Sequence, residues 1–485
     1  MTITTRTAVV FSAIGRYLTL ALQFASTMVL ARLLTPEDIG IYSAGFSIVA
    51  LAHLFRDFGL NQYIIQEKEL DEGKIRTTFT LSVVIAWGLG ALLFLSAGFA
   101  ADFFREEGVR TLIHILSFNF LIIPFGSITL SLLRKQLKFH ITATISFASS
   151  LFGVIVAVWT AYEGASYLCL AYGAITETCS LVLLSSFFRP KDLRIKPTLQ
   201  NARVIFRFGS IVGAGNIATQ LATSATDALI ARLLGLAPLG FYSRAFGTFS
   251  IFDNLFISSI RPTILPLFSR HNREPEKMVE NYLRAVSYAF ILAWPFFSFL
   301  YLYTDLVILT LYGSQWEQAV PLIKLLCVAG VILPMVLFTD NLFIACGRPG
   351  ITLQIQLVSN LAKISLVAVA CFINLEAVCL ALVGYFMIRL VMIQIYLRSV
   401  FNLSVARVLE HAKSSVLPLL FTLVPTVFAN LLLKPYLNNH IALFSALLFS
   451  AFLGWMAGLH ITKHAFYDEL KPLINRLSCN KNNRT

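Results

Sequence analysis

Charged residues are scarce in this sequence. Asp, Glu, Lys and Arg make up 13% of its 485 residues, whereas 57% are hydrophobic. A soluble chain of this length would form several domains and would need roughly twice that share of charge to cover them. Acidic residues are fewer than basic residues, with 25 Asp and Glu against 38 Lys and Arg. The composition therefore excludes an ordinary soluble protein and predicts that most of the chain lies in lipid.

Residues with metal-binding or redox chemistry are also few. Six of the seven cysteines fall inside apolar segments, and Cys479 lies in the polar C-terminal tail. None has the spacing of a metal site, and we expect them to be small core residues. Because we find no catalytic constellation, the sequence predicts neither an enzyme nor a metal site.

Long apolar runs are what the sequence does have. They are about 18 to 25 residues long, the length that crosses a hydrocarbon core, and they recur from one end of the chain to the other. We therefore predict an all-α membrane protein of about fourteen transmembrane helices. The predicted spans are 8–31, 40–59, 77–100, 111–133, 140–162, 164–187, 208–231, 236–262, 285–311, 320–344, 351–373, 376–398, 414–433 and 440–462.

The basic residues indicate how the chain lies in the membrane. Lys and Arg concentrate in alternate loops, which the positive-inside rule places on the cytoplasmic side. The longest of these links, 188–206, is basic and separates predicted spans six and seven. An even number of spans then puts both termini in the cytoplasm. We interpret the net charge of +13 as a signal of orientation and not of nucleic-acid binding.

The sequence contains an internal duplication. Shifted by 200 residues, AlaArgLeuLeu at 31–34 aligns with the same four residues at 231–234. Further identities at this offset pair Gly15, Thr19, Ala25, Gly40, Tyr42, Ser43 and Phe46 with Gly215, Thr219, Ala225, Gly240, Tyr242, Ser243 and Phe246. A second block agrees at an offset of 210 and pairs Pro124 with Pro334. We predict two copies of a six-span unit.

The duplication also predicts the domain organisation. An N-terminal repeat with its basic linker covers 1–207, a C-terminal repeat covers 208–398, and two further spans with a cytoplasmic tail cover 399–485. Because six is even, both copies enter the membrane in the same direction, so a pseudo-two-fold axis along the membrane normal should relate them.

Polar residues form stripes inside several predicted spans. At helical spacing they share one face, which is costly against lipid and must meet protein or water. Hydrogen bonding between helices explains the Ser and Thr members. For the charged members Arg16, Asp227 and Arg261 we favour a water-filled cavity. The stripes of spans one, seven and eight consist of Ser12, Arg16, Thr19, Gln23, Ser26; Asn216, Gln220, Thr223, Asp227; and Ser250, Asn254, Ser258, Arg261.

Other charged residues in the spans have two interpretations. Arg56 beside Asp57 is either a self-neutralising pair or part of a substrate site. Glu177 and Asp253 are acids that serve either as H⁺ or Na⁺ sites or as partners of arginines. For a third group we expect side chains that reach toward the membrane interface. This group is Arg244, Lys324 and Arg389.

The stretch from Leu30 to Gln66 resembles the opening signature of the polysaccharide transporter family. It reads LARLLTPEDIGIYSAGFSIVALAHLFRDFGLNQYIIQ. The later segments 265–269 (LPLFS) and 311–316 (LYGSQW) are similar to landmarks of the same family. This family holds the Wzx-type flippases for O-antigen and exopolysaccharide, in the superfamily that also includes MATE drug exporters and the lipid II flippase. The resemblance is strongest to the colanic-acid-exporter-like branch.

The resemblance implies export of polyprenyl-pyrophosphate-linked oligosaccharide across a bacterial inner membrane by alternating access. Relatives carry arginines on helices one, two and eight of a cationic cavity, which implies Arg16, Arg56 and Arg261 here. We add Gln23, Asn216, Gln220 and Asn254 as substrate-binding candidates. Asp227 and Glu177 are candidates for coupling to H⁺ or Na⁺, and no other cofactor is expected. The expected partners are the lipid-linked oligosaccharide, the bilayer, a polysaccharide polymerase and assembly proteins, with no nucleic acid.

Two other functions compete with this interpretation. A MATE-like cation-coupled multidrug antiporter would share the fold and should favour an acidic cavity. A membrane polysaccharide polymerase or ligase would need a large outer loop with reactive side chains, which the sequence lacks.

The last two spans lie outside the duplication. They contain no Asp, Glu, Lys or Arg and no polar stripe. We predict that they flank a groove for the polyprenyl tail, the alternative being that they brace the bundle or mediate self-association.

Overall fold

The computed structural model of the protein describes residues 5–57, 59–67, 69–189, 198–200, 202–270, 274–437, 439–467, 469 and 471. For residues 5–13, 57, 203, 204, 206–216, 262 and 275 it describes the backbone alone. Within these ranges the chain forms twenty α-helices and no β-strand. The prediction of an all-α membrane protein is confirmed.

Backbone packing divides the chain into two compact units. The first holds residues 1–243 and 371–375, and the second holds 244–370 and 376–485. The helices of the first unit are α1 (Thr5–Leu33), α2 (Pro36–Asp57), α3 (Leu60–Gln66), α4 (Glu72–Phe104), α5 (Glu107–Ile122), α6 (Pro124–Lys135), α7 (Phe139–Tyr162), α8 (Leu168–Ser186) and α9 (Ala202–Leu233). Helix α10 (Leu236–Phe252) begins in this unit and continues into the second.

The second unit continues from α10 through a π turn at Asp253–Ile257. Its remaining helices are α11 (Ser258–Ser269), α12 (Pro275–Leu302), α13 (Thr304–Leu311), α14 (Ala319–Val336), α15 (Thr339–Ala345), α16 (Pro349–Ala370), α17 (Leu375–Phe401), α18 (Val405–Lys413), α19 (Val416–Leu433) and α20 (His440–Thr462).

The units do not follow the boundary at 207/208 that the duplication predicts. Helix α9 packs against α2, and the hydroxyl of Ser224 on α9 donates to the backbone oxygen of Ser47 on α2 at 2.7 Å. The first helix of the second predicted repeat is therefore part of the first compact unit. The repeats themselves are defined by sequence, and their boundaries stay a prediction.

Eleven segments in the described part of the chain are long and apolar enough to cross a membrane. A twelfth arises if α5 and α6, which meet at an angle of 51°, count as one broken span. The helices covering the predicted spans 208–231 and 236–262 are not among them. The protein is thus a multi-pass membrane protein, and the count of fourteen stays a prediction.

Several predicted spans are broken where one continuous helix was expected. Pro124 begins α6 and cannot donate to the preceding turn, which separates α6 from α5. The predicted span 320–344 is interrupted at Phe338, whose φ of 64° is left-handed. The predicted span 285–311 ends early, at Leu302, and α13 follows. Apolar composition alone does not reveal these breaks.

Small residues set the close packing of helices in the first unit. A Cβ atom on Gly173 would lie 2.8 Å from the Cβ of Ala157, and one on Gly153 would lie 2.9 Å from the Cβ of Glu177. Helices α7 and α8 therefore approach closely along these positions, as small residues allow in membrane bundles.

Candidate functional site

A cavity of about 400 Å³ opens in the first unit between α1, α6 and α7. Arg16 of α1 and Arg134 of α6 both line it, and no carboxylate does so in the part of the chain that the structure describes. Guanidinium groups in a cavity wall favour an anion with several oxygen atoms, such as a phosphate. Hydroxyl groups also border the space, from Thr19, Thr142 and Ser146.

A tight contact between α1 and α7 places Arg16 at this cavity. A Cβ atom on Gly15 would lie 2.6 Å from the Cβ of Ala143, so glycine permits the approach. The hydroxyl of Thr19, one turn later, donates to the backbone oxygen of Gly15 at 2.9 Å. Arg16 follows Gly15 directly and is exposed beside this contact. Arg16, for which the sequence favours a water-filled cavity, thus lies at a cavity wall.

Arg134 is a residue that the sequence analysis missed. The predicted span 111–133 ends just before it, which made it one of several basic loop residues. The structure extends the helix to Lys135, so that Arg134 lies in its last turn. The break at Pro124, which redirects α6, was the available signal. Composition gives no direction for a helix after such a break.

Arg56 lies on a different wall of the first unit. Its guanidinium carbon is 5.7 Å from the centre of the Phe120 ring on α5. The ring of His53, one turn earlier on α2, stacks on the same phenylalanine at 4.7 Å. The attraction between a cation and a ring face holds Arg56 against α5. The side chain of Asp57, the other partner that the sequence suggested, lies outside the described residues.

The polar stripe of span seven is carried by α9. The side-chain amide of Gln220 donates to the hydroxyl of Ser224 at 3.3 Å, and Ser224 in turn binds α2. Asp227, one turn further, is half-buried. The side chain of Asn216 lies outside the described part. Part of this stripe therefore joins two helices, as the hydrogen-bonding interpretation predicts.

The two remaining candidates of the first unit differ in burial. Gln23 is exposed on α1, on the stripe that carries Arg16. Glu177 is half-buried on α8, and its carboxylate faces the hydroxyl of Ser150 on α7. No described cation forms an ion pair with Glu177, which keeps it available as a proton or cation site.

In the second unit, Arg261 is ion-paired. Its Nη2 lies 2.8 Å from Oδ1 of Asp253, and both side chains are about half exposed. The π turn from Asp253 to Ile257 shifts the helix register, so residues eight positions apart meet. Asn254 is exposed in the same turn. The sequence left Asp253 as either an H⁺ or Na⁺ site or the partner of an arginine, and in the structure it is the partner of Arg261.

A partly buried charged network in the second unit was not anticipated. Nη2 of Arg389 on α17 donates to Oδ2 of Asp340 on α15 at 2.9 Å, and Nη1 donates to the hydroxyl of Tyr385 at 3.0 Å. Lys363 of α16 lies over the Tyr385 ring at 5.9 Å. The available signal was Asp340 itself, because a carboxylate within an apolar segment needs a partner.

Two arginines expected to reach toward the interface are instead enclosed by other side chains; Arg244 is buried and Arg389 is partly buried. Arg389 belongs to the network just described. Arg244 lies between the rings of Tyr312 and Trp316, each 4.7 Å from its guanidinium carbon. These rings belong to the segment LYGSQW and enclose the guanidinium of Arg244. Lys324 is partly exposed and forms an ion pair with the exposed Asp305 at 2.9 Å, so its expected position near the interface stays a prediction.

An apolar cavity of about 640 Å³ lies among α12, α19 and α20 in the second unit. Nε1 of Trp455 on α20 donates to the backbone oxygen of Ile291 on α12 at 3.0 Å, which joins α20 to α12. The wall consists mainly of aromatic and aliphatic side chains and suits a hydrocarbon chain. Residues of this wall include Phe256, Pro295, Phe296, Phe449, Phe452 and Trp455.

These features define a multi-pass helical membrane protein with an arginine-lined cavity in one unit and an apolar cavity in the other. The chain belongs to the family described as polysaccharide biosynthesis protein, whose model matches residues 29–321.

Two curated relatives are similar to the chain. Lipopolysaccharide biosynthesis protein WzxC of Escherichia coli strain K12 is 26% identical over 324 residues, which cover 66% of this chain and 66% of the relative. Succinoglycan biosynthesis transport protein ExoT of Rhizobium meliloti strain 1021 is 25% identical over 338 residues, which cover 68% and 67%. The match thus spans about two thirds of each relative's length.

The fold has a solved counterpart. The lipid II flippase MurJ in an inward closed conformation matches with a TM-score of 0.72 at 13% identity, over 95% of this chain and 99% of that one. The likeness at this identity concerns the fold.

Proposed function

We propose that the protein is a flippase for polyprenyl-pyrophosphate-linked oligosaccharide. It would move repeat units from the cytoplasmic to the outer leaflet of a bacterial inner membrane, for the synthesis of a surface polysaccharide. The observation that carries the proposal is the cavity lined by Arg16 and Arg134, with no carboxylate among the described residues of its wall. Family membership and the names of the two relatives support the same substrate class.

The chemistry of the substrate explains why arginine is needed. A pyrophosphate cannot cross roughly 30 Å of hydrocarbon unaided, because its charges would lose their hydration. Guanidinium groups replace that hydration with forked hydrogen bonds. Arg56 and Arg261 would supply further positive charge in their own units. Gln23, Asn216, Gln220 and Asn254 would bind sugar hydroxyls through their amides.

The transport cycle would use alternating access between two parallel six-span repeats followed by two extra spans, fourteen in all. Both termini would lie in the cytoplasm. Asp227 or Glu177 would bind the H⁺ or Na⁺ that drives transport. A polymerase and assembly proteins would receive the exported units on the outer side.

The apolar cavity beside α19 and α20 would hold the polyprenyl tail while the head group crosses. Its wall of Phe and Trp side chains supports this role. The alternative is that these helices only brace the bundle or mediate self-association.

A MATE-like drug antiporter is the competing function. Organic cations would need carboxylates at the binding site, and the cavity at Arg16 has none in its described wall. A polymerase or ligase is less well supported, since the curated relatives reported above are named for biosynthesis and transport.

The test is a flipping assay with purified protein in proteoliposomes and a fluorescent polyprenyl-pyrophosphate oligosaccharide. Wild type should move the probe between leaflets, whereas Arg16→Ala and Arg261→Ala should lose most activity at normal abundance. Lysine at either position should restore part, because the charge remains but the fork is lost. Arg110→Ala is the control, since Arg110 is exposed and pairs with Glu107 on the same helix.

The proposal is wrong if wild-type protein leaves the probe in place while it exports organic cations. Wild-type rates in both alanine variants would remove the arginines from the substrate path.

A further inference from the structure

A cavity of about 180 Å³ lies between α11 and α12 in the second unit. Most of its wall is apolar, from residues such as Ile260, Ile264 and Leu292, and Phe338 also lines it. No carboxylate lines it in the part of the chain that the structure describes. The polar residues of its wall are Thr263, Asn281, Arg284 and Tyr288.

Phe338 encloses part of this cavity from the break between α14 and α15. Its φ of 64° is left-handed, a conformation that phenylalanine rarely adopts. Its side chain is nevertheless buried and lines the cavity. The cavity is therefore a slot enclosed by α11, α12 and this break, and it differs from an open helix surface that faces lipid.

Contacts of α12 indicate the level of this slot in the membrane. The hydroxyl of Ser287 on α12 lies 3.2 Å from Nε2 of His464 and 3.5 Å from the hydroxyl of Ser414. Ser414 lies just before α19, and His464 lies just after α20. Both helices are long and apolar enough to cross a membrane. Ser287 is therefore at the level where two spans reach the membrane surface.

The slot extends from this level into the membrane. Nε1 of Trp455, two turns before the end of α20, donates to the backbone oxygen of Ile291, so α12 enters the membrane from Ser287 toward Leu292. Arg284 is exposed and lies one turn from Ser287 in the opposite direction. At 1.5 Å per residue, Arg284 and Leu292 are about 12 Å apart along α12. The cation is thus at the head-group level and the apolar wall lies deeper.

No acid in the described part of the chain neutralises Arg284. It forms no ion pair with a described residue, whereas Lys277 on the same helix pairs with Glu274. The carboxylate of Glu280, one turn before Arg284, is exposed and does not line the slot. The slot therefore presents a positive charge to a ligand at the head-group level.

An amphiphile with a phosphate and a straight hydrocarbon chain fits these features. A guanidinium forms forked hydrogen bonds with phosphate oxygens, and apolar side chains suit a chain. The slot is smaller than the 300–1,000 Å³ or so of sites for whole small molecules, so it suits part of a chain. Leu292 also lines the apolar cavity among α12, α19 and α20, which offers the chain further apolar surface.

We propose that the slot between α11 and α12 binds one anionic phospholipid of the phosphatidylglycerol type. Arg284 holds its phosphate, and one acyl chain begins between the two helices. The hydroxyl of Thr263 donates to the backbone oxygen of Ile260 at 2.7 Å, and its oxygen can still accept a hydrogen bond from a head-group hydroxyl. The lipid is a bound component and not the cargo, so the inference goes beyond the proposed function and does not depend on it.

The experiment titrates phosphatidylglycerol and phosphatidylethanolamine with identical acyl chains into the purified full-length protein in detergent. Native mass spectrometry measures the first bound lipid. Wild type should bind phosphatidylglycerol more tightly, because the ammonium of phosphatidylethanolamine neutralises its own phosphate. Arg284→Gln should weaken phosphatidylglycerol binding about fivefold, the effect of one partly solvated ion pair, and so reduce the preference. Arg284→Lys should restore part of it, because the charge remains.

Lys277→Gln is the matched control, because Lys277 is an exposed cation on α12 that does not line the slot. It should keep the wild-type preference. Ala289→Leu places a larger side chain in the wall and should weaken both lipids alike, with their ratio unchanged. Thermal unfolding without added lipid checks that each variant keeps its fold.

Two further probes separate the phospholipid from other phosphate compounds. Glycerol 3-phosphate has a phosphate but no chain and should not compete with phosphatidylglycerol. Farnesyl phosphate should compete weakly, because the methyl branches of its chain widen it. The proposal is overturned if wild type has no preference for phosphatidylglycerol, if Lys277→Gln reduces the preference as much as Arg284→Gln does, or if either probe competes as well as phosphatidylglycerol itself.

Discussion

The hydroxyl of Ser243 donates to the hydroxyl of Ser43 at 2.9 Å, and the two serines are 200 positions apart. That separation equals the offset of the internal duplication, so equivalent residues of the two copies touch each other. The contact is reciprocal in the backbone as well. A Cβ atom on Gly40 would lie 1.9 Å from the oxygen of Leu236, and one on Gly240 would lie 1.8 Å from the oxygen of Pro36. The N-terminal parts of α2 and α10 therefore pack as a symmetric pair.

Alanine at Gly40 or Gly240 should destabilise this pair. The added methyl group meets a backbone oxygen, which only a shift of the helix relieves, and we expect a loss of about 1–3 kcal/mol in the free energy of unfolding. Denaturant unfolding in detergent measures it. Gly247→Ala on the same helix is the control: apart from the adjacent residues and the backbone of its own helix, no atom lies within 4 Å of its Cβ position, so this variant should be neutral or more stable. Equal stability of all three variants would contradict the contact.

Asp227→Asn should remove the dependence of transport on the ion gradient if Asp227 binds the coupling ion. The amide keeps the shape of the side chain but carries no negative charge for H⁺ or Na⁺. Transport in vesicles with and without imposed H⁺ and Na⁺ gradients measures this. Glu177→Gln is the parallel variant for the second candidate. Gradient dependence that is unchanged in the Asp227 variant would exclude this residue.

A photoactivatable polyprenyl-phosphate probe should label α19 and α20. The apolar wall of the cavity beside them suits a hydrocarbon tail. Phe449→Gln and Phe452→Gln should reduce labelling, whereas Phe428→Gln should not, because Phe428 is equally exposed on α19 but does not line the cavity. Labelling confined to α1–α17 would support the bracing role instead.

Asp340→Ala should destabilise the second unit strongly. It leaves the partly buried Arg389 without its carboxylate, and we expect a loss of about 2–3 kcal/mol in the free energy of unfolding, below that of a fully buried pair. Replacing both residues, Asp340→Leu with Arg389→Met, should cost less than the single change. Asp305→Ala, which breaks the more exposed pair with Lys324, should cost less than about 1 kcal/mol. Similar losses of stability in Asp340→Ala and Asp305→Ala would contradict the expectation that the less exposed pair contributes more.

The stability of the protein should fall on acidification through the protonation of His464, which follows α20. Burial lowers the pKa of His464, whose Nε2 lies 3.2 Å from the hydroxyls of Ser287 and Ser414. The unfolded chain, with a histidine pKa of about 6.5, binds the proton first, so stability present above that pH is lost as the pH falls below it. Unfolding temperatures at pH 7.5 and 5 measure the loss.

His464→Gln should show a smaller decrease between the two pH values, because glutamine does not titrate. His460→Gln, at an exposed histidine in the last turn of α20, is the control and should keep the wild-type decrease. A decrease that is identical in the two variants would exclude His464 as its source.

The sequence by itself determined the class of the protein and most of its helices. Predicted spans 140–162 and 440–462 agree with Phe139–Tyr162 and His440–Thr462 to within a residue. A helix in lipid must form all of its backbone hydrogen bonds internally and needs about twenty apolar residues to cross the bilayer. Its limits can therefore be predicted from local composition. The family signature from Leu30 to Gln66 is equally local, since it is read along the chain.

The partners of the charged side chains were decided only by the tertiary structure. Arg134 was one basic loop residue among several until the break before α6 directed it to the cavity of Arg16. Arg244 and Arg389 were expected at the interface, but aromatic rings and a carboxylate hold them inside. A span has the same composition whichever way its polar face turns, and that rotation depends on breaks and helix contacts between residues distant in sequence. The sequence therefore indicates that charges lie among the spans, and the packing decides which of them meet.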